Sequence, residues 1–193
     1  MEEMNREDRR VRRTRRLLEE AFTQLLEKKP LKDISVKELA ELADINKGTF
    51  YKYYGDIYDF VKKVEDDYFV RFVDIMNSHG SETVFRQTKS FLLDCFTFIK
   101  ENSRMVRVLL SENGDVAFRE KLIAVVRDKC HEDWIAVRED FPGTEKEFNY
   151  RYAFVTSGCL GIIREWVAGD CRDSITEMTE LTDQLIRQGG IGK

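Results

Sequence analysis

The sequence predicts an all-α protein of about nine helices, a three-helix N-terminal head followed by a larger helical body. Three observations carry this prediction. Only two prolines, Pro30 and Pro142, interrupt 193 residues. The chain is rich in Leu, Glu, Lys, Arg and Phe, with few alternating β-branched runs. Apolar residues recur at helical spacing along most of its length, and Gly, Pro and Asn mark the breaks.

The first stripe, from about Arg9 to Lys28, holds Leu18, Phe22, Leu25 and Leu26, and stops where Pro30 disfavours helix in the residue before it. Ser35-Val36-Lys37-Glu38 has the form of a capping box and starts a second helix from Val36 to Ala43. Asp44-Ile45-Asn46 makes a short turn, with Asn46 as N-cap for a two-turn helix over Lys47 to Tyr53 or Tyr54. Gly55-Asp56 ends that helix and caps the next, a stripe of about 22 residues from Ile57 to Ser78. Later helices are expected at about 82–101, 104–111, 116–139, 144–168 and 174–187, and the glycine-rich end reads as a frayed tail. The division expected is a head of residues 1–55, arm included, and a body of residues 56–193.

The net charge of −4 divides unevenly. Residues 1–55 hold 13 Lys and Arg against 11 Asp and Glu, whereas residues 56–193 hold 19 against 25. Between Asn5 and Arg16, seven arginines face only Glu7 and Asp8. Alone, such a run reads as a solvated arm or helix end. Cys95, Cys130, Cys159 and Cys171 lie far apart and read as reduced thiols, and with only His79 and His131 available no metal site or cofactor is expected. The longest apolar stretch, Ala153 to Ile163, is too short to span a bilayer, so a soluble, cytoplasmic protein is expected. No Gly-rich phosphate loop or nucleophile elbow is present, which argues against an enzyme.

Residues Val36 to Tyr54 read as helix, three-residue turn and short helix, the arrangement that sets a helix in the major groove. The geometry also joins ordinary bundle helices, and the side chains decide between the two. Lys47, Thr49, Tyr51, Lys52 and Tyr53 put five polar donors within seven residues, with Phe50 left as anchor.

The run Ala43-Asp44-Ile45-Asn46-Lys47-Gly48-Thr49-Phe50-Tyr51-Lys52-Tyr53-Tyr54 resembles the "aGvskGtfYxyF" pattern of the TetR family of bacterial regulators, over about residues 10 to 60. The resemblance implies a dimeric regulator, expected to be a repressor, that reads a palindromic operator in double-stranded DNA. It implies that Lys47 and Gly48 approach bases or backbone, with Gly48 free of an obstructing side chain. Tyr51 and Lys52 would face the groove, Thr49 and Tyr53 would bind phosphate, and Phe50 and Ile45 would lie in the core. Ser35, Lys37 and Thr14 would add backbone contacts, and the basic arm, Arg12 and Arg13 included, would track phosphates or the minor groove. Two departures stand out: Ile57 occupies a place where many members have a phosphate-binding Lys, and Tyr54 replaces the usual Phe.

In the body, small residues Ala153, Ser157 and Gly161 line the penultimate helix and Met178, Leu181 and Leu185 the last. Both stripes could pack inside one subunit; the resemblance favours a four-helix dimer interface. Phe72, Phe98, Trp134 and Phe154 are candidates to line a pocket for an unknown small-molecule effector. Ser157 to Gly169 is weakly similar to a subgroup related to dihydroxyacetone-kinase regulators, in which a protein partner can replace the small ligand.

Overall fold

Helical stripes become helices throughout the computed structural model, which describes residues 2–79, 88–111, 113–136 and 143–189, without the side chains of 2–8, 130, 133, 134 and 136. The helices among them are α1 (Glu2–Leu26), α2 (Val36–Leu42), α3 (Lys47–Tyr53), α4 (Ile57–Ser78), α5 (Thr88–Glu101), α6 (Ser103–Leu110), α7 (Val116–Ala136), α8 (Glu145–Ala168) and α9 (Ile175–Gly189). The described residues contain no strand. Two differences from expectation fall at element ends. α1 starts near Glu2 instead of Arg9, so the arginine run is helix and not an extended arm. Residues 82–87 and 137–139, expected as helix, lie outside the described residues.

The chain folds as two compact units, Met1–Tyr68 with Val108–Val116 and Phe69–Arg107 with Ala117–Lys193. The first is organised around three wholly buried rings: Phe22 of α1, Phe50 of α3 and Phe60 of α4. Phe22 and Phe60 meet edge to face at 5.4 Å, and Phe50 lies 6.0 Å from Phe60. Such ring pairs add about 0.5–1.5 kcal/mol to the burial of their area. Leu18, Leu39, Val61 and Val64 close the same core.

The end of α1 is satisfied from far along the chain. The Lys28 and Lys29 amides both reach Leu25 O, and Asn113 Nδ2 donates to Leu26 O at 3.0 Å while the Leu31 amide donates to Asn113 O at 3.1 Å. Gly114 allows this turn, because a Cβ there would stand 2.5 Å from the Leu109 carbonyl oxygen.

In the second unit α9 packs against α5 and α8. Thr144 and Glu147 form a reciprocal capping box on α8, and Ser174 and Glu177 exchange the same pair of bonds at α9. Between the two helices, Asp170 and Cys171 adopt φ of 61° and 50°, left-handed conformations that cost a non-glycine residue energy. Lys100 donates to the Cys171 carbonyl and Arg107 pairs with Asp170, which fixes the corner.

Removing the central ring should be expensive: Phe60→Ala is expected to lose about 3–5 kcal/mol in urea unfolding followed by circular dichroism. Acid should act through the caps. The Glu147 and Glu177 carboxyls are held below the usual range, first by the backbone amides of Thr144 and Ser174. A depressed folded-state pKa contributes stability that is present above the unfolded value and lost as pH falls through the folded one. Thermal melts across the acidic range should therefore show falling stability, with a shallower slope in a Glu147→Gln, Glu177→Gln double variant.

Candidate nucleic-acid interface

Local bonds build the segment from α2 to α3. Ser35 Oγ accepts from the Glu38 amide at 3.2 Å and starts α2. Glu38 does not simply return the bond as the capping-box pattern predicts. Its carboxylate takes Lys29 Nζ at 2.6 Å, and this contact is the first cause that holds its pKa low, with the Ser35 backbone a lesser one. After α2, Asp44 turns the chain at φ 53°, and the Ile45 amide returns to Ala40 O at 3.0 Å. Asn46 then caps α3, its side chain accepting from the Gly48 amide at 2.7 Å.

α3 buries one side chain, Phe50, and presents the rest. Lys47, Gly48, Tyr51 and Lys52 are exposed, and Thr49 and Tyr53 are half-buried. The Tyr51 ring stands edge-on to Phe50 at 5.5 Å, which orients it while leaving it 56 % exposed. Lys52 Nζ lies over the Tyr53 ring at 5.5 Å. Ile45, expected in the core, is half-buried because it sits in the turn. A Cβ on Gly48 would approach Asn46 Oδ1 to 3.2 Å, so this glycine also makes room for the cap.

The C-terminal end of α3 is held by α4. Lys63 Nζ donates to the Tyr53 carbonyl at 3.1 Å and to Asp59 Oδ2 at 2.9 Å, and lies over the Tyr54 ring at 5.2 Å. Tyr54 packs edge-on against Phe60 at 5.0 Å, and burial raises its hydroxyl pKa. Asp56 caps α4 by accepting from the Asp59 amide at 2.8 Å, and Ile57 is buried beneath it. Lys63 and the left-handed Asp44 were not singled out from the sequence. The signals were there: Lys63 follows Asp59 at helical pair spacing, and Asp44 stands where the quoted family pattern has Gly.

Other candidates are distributed as follows. Ser35 and Lys37 are exposed at the start of α2, with Lys37 4.0 Å from Glu41. Arg12 and Arg13 are exposed and Thr14 half-buried on α1. The arginine run is less available than its count suggests: Arg15 pairs with Glu19 and Asp67, and Arg16 with Glu20. In the second unit Ala153, Ser157 and Gly161 are exposed on α8, and Leu181 and Leu185 on α9, whereas Met178 is buried within its own subunit. Phe72 lines an interior cavity and Phe154 an outer groove. Phe98 is buried beside Phe72, under the Arg71 guanidinium and away from the cavity lining. The Trp134 side chain lies outside the described residues. Among the described residues no cluster of His, Cys, Asp and Glu could hold a metal ion, and no helix is long and apolar enough to cross a membrane.

A short polar helix seated on a three-helix core, joined to a larger helical unit, defines the class of helix-turn-helix regulators with an all-α body. Residues 86–188 match the family model described as the transcriptional regulator C-terminal region of TetR proteins, and the chain belongs to the TetR family of transcriptional regulators. Solved structures share the fold. The fatty acid degradation regulator FadR from Bacillus halodurans is 16% identical, with a TM-score of 0.64 over 90% of this chain and 94% of that one. The dihydroxyacetone kinase operon activator DhaS is 15% identical, with a TM-score of 0.57 over 90% and 93%. A TerR/AcrR-family regulator from Aquifex aeolicus is 15% identical, with a TM-score of 0.59 over 91% and 98%. No curated protein matches the sequence.

The turn provides a direct test. A β-branched residue at position 44 should be strained where Asp is tolerated, so Asp44→Val is expected to cost about 1–2 kcal/mol and Asp44→Gly little or nothing, read from thermal or urea unfolding.

Proposed function

We propose that this regulator binds a palindromic operator as a homodimer and represses transcription until a small ligand occupies its body. DNA contact would lie in residues 1–55, dimerisation and control in residues 56–193. The observation that carries the reading is α3 itself, a helix that buries Phe50 alone and offers Lys47, Thr49, Tyr51, Lys52 and Tyr53 at its surface. Lys47 and the backbone at Gly48 would meet the groove, Tyr51 and Lys52 would lie along it, and Thr49 and Tyr53 would donate to phosphate. Ser35, Lys37, Thr14, Arg12 and Arg13 would add contacts to the flanking backbone.

Exposed Ala153, Ser157 and Gly161 beside exposed Leu181 and Leu185 support a four-helix interface made of α8 and α9 from each copy. A two-fold axis would then set half-sites about 34 Å apart or slightly more.

An operator selected from random duplexes by the purified protein tests this reading. Affinity should fall steeply with salt, Lys47→Ala should weaken binding about tenfold and reduce the salt slope by about one, and Tyr53→Phe should weaken it by less. Binding that is undetectable, or independent of salt, would refute the proposal.

A further inference from the structure

Phe50 fixes α3 at its middle, and three of the five outward donors, Tyr51, Lys52 and Tyr53, lie beyond that anchor. The Tyr54 amide donates to Phe50 O at 3.0 Å, and Tyr54 itself leaves the helix with extended backbone. The last carbonyls of a helix have no amide of their own helix to accept from, and a helix of seven residues has few others. At the Tyr53 carbonyl the missing donor comes from a side chain of α4.

The bonds around that donor converge on Asp59. Its Oδ2 accepts from the Gly55 amide at 2.8 Å and from Lys63 Nζ at 2.9 Å, while Lys63 Nζ also donates to Tyr53 O at 3.1 Å. With its ammonium over the Tyr54 ring at 5.2 Å, Lys63 touches the last residue of α3 and the one after it while standing on α4. The Asp59 carboxyl is held below its usual range, first by the Gly55 amide and then by Lys63, so it stays charged at neutral pH. Lys63 is therefore poorly suited to hold a phosphate: its charge is matched at 2.9 Å, and Asp59 would repel the same phosphate oxygens.

We propose that Lys63 and Asp59 are positioning residues for DNA recognition, which tie the C-terminal end of α3 to α4 and so hold Tyr51, Lys52 and Tyr53 in register with the groove. This inference rests on the reading of α3 as the helix that contacts DNA. Base-edge contacts demand placement to within about 0.5 Å, whereas attraction to phosphate decays over about 8 Å at physiological salt. Loosening the clamp therefore costs preference for the operator over other duplexes and leaves the sequence-independent attraction to DNA in place.

The test is fluorescence anisotropy of the full chain on the operator it selects and on a random duplex of equal length, each across a salt series. Lys63→Met is expected to weaken operator binding about fivefold at every salt concentration, with the salt slope kept and random-duplex binding within about twofold of the parent. Asp59→Ala changes the charge in the opposite direction and by charge alone would tighten binding to any DNA, yet its operator preference should fall as well. Lys62→Met, an equal loss of charge one residue away, should keep the parent ratio of operator to random affinity. In the unbound protein, amide exchange over Tyr51 to Tyr54 should quicken in Lys63→Met and not in Lys62→Met. The proposal is overturned by a salt slope that falls by about one in Lys63→Met, which would make Lys63 a phosphate contact. It is equally overturned by an operator preference that survives Asp59→Ala, or that Lys62→Met lowers as much as Lys63→Met does. A parent chain that binds operator while Lys63→Met binds it equally well overturns this inference alone. One that binds no duplex overturns the regulator reading and this inference with it.

Discussion

A helix of seven residues makes too few internal hydrogen bonds to persist in water, so α3 depends on the burial of Phe50. That ring reaches into a core already occupied by Phe22 and Phe60, and edge-to-face contact among aromatic rings fixes orientation as well as depth. With one side chain committed inward, the remaining faces of α3 are available to polar donors. Burial of a second large residue would have strengthened the helix and removed part of the surface that makes it useful.

Polar bonds at the two ends complete what Phe50 begins. Asn46 satisfies an N-terminal amide, and Lys63 reaches across from α4 to the Tyr53 carbonyl, one of the C-terminal acceptors that a short helix leaves open. The charge of Lys63 also complements the C-terminal end of the helix dipole, while Asp59 holds the ammonium in place. α3 is thus fastened by its core side, its start and its finish, and its outward side chains are left with short-range contacts such as Lys52 over Tyr53.

Much of this was legible in the sequence because it is local. Pro30, Ser35, Asn46 and Asp56 mark ends through bonds to residues within a turn of themselves, and Phe50 stands out as the apolar member of a polar helix. What sequence reading missed depends on partners brought together by folding. Asn113 satisfies a carbonyl 87 residues away, and Lys63 meets Tyr53 across a helix boundary. The arginine run looked like a strongly basic surface because its counter-ions are spread over two helices: Glu19 and Glu20 lie one turn on, and Asp67 lies on α4. The burial of Thr182, whose hydroxyl has no hydrogen-bond partner among the described residues, is likewise a property of packing, since nothing in its neighbours along the chain distinguishes it from an exposed threonine.

The same distinction explains α9, where the apolar residues read as one stripe belong to two. Met178, Thr182 and Ile186 recur every four residues and are buried inside the unit, while Leu181 and Leu185, also four apart, are exposed. A helix needs only one apolar stripe to join a monomeric core. The second stripe runs beside the exposed small residues of α8, a surface on which helix backbones can approach closely, so the physical demand for cover falls on both helices at once. Met178 serves the first stripe and Leu181 and Leu185 the second; three residues grouped together by spacing therefore have separate roles, one within the subunit and two at its surface.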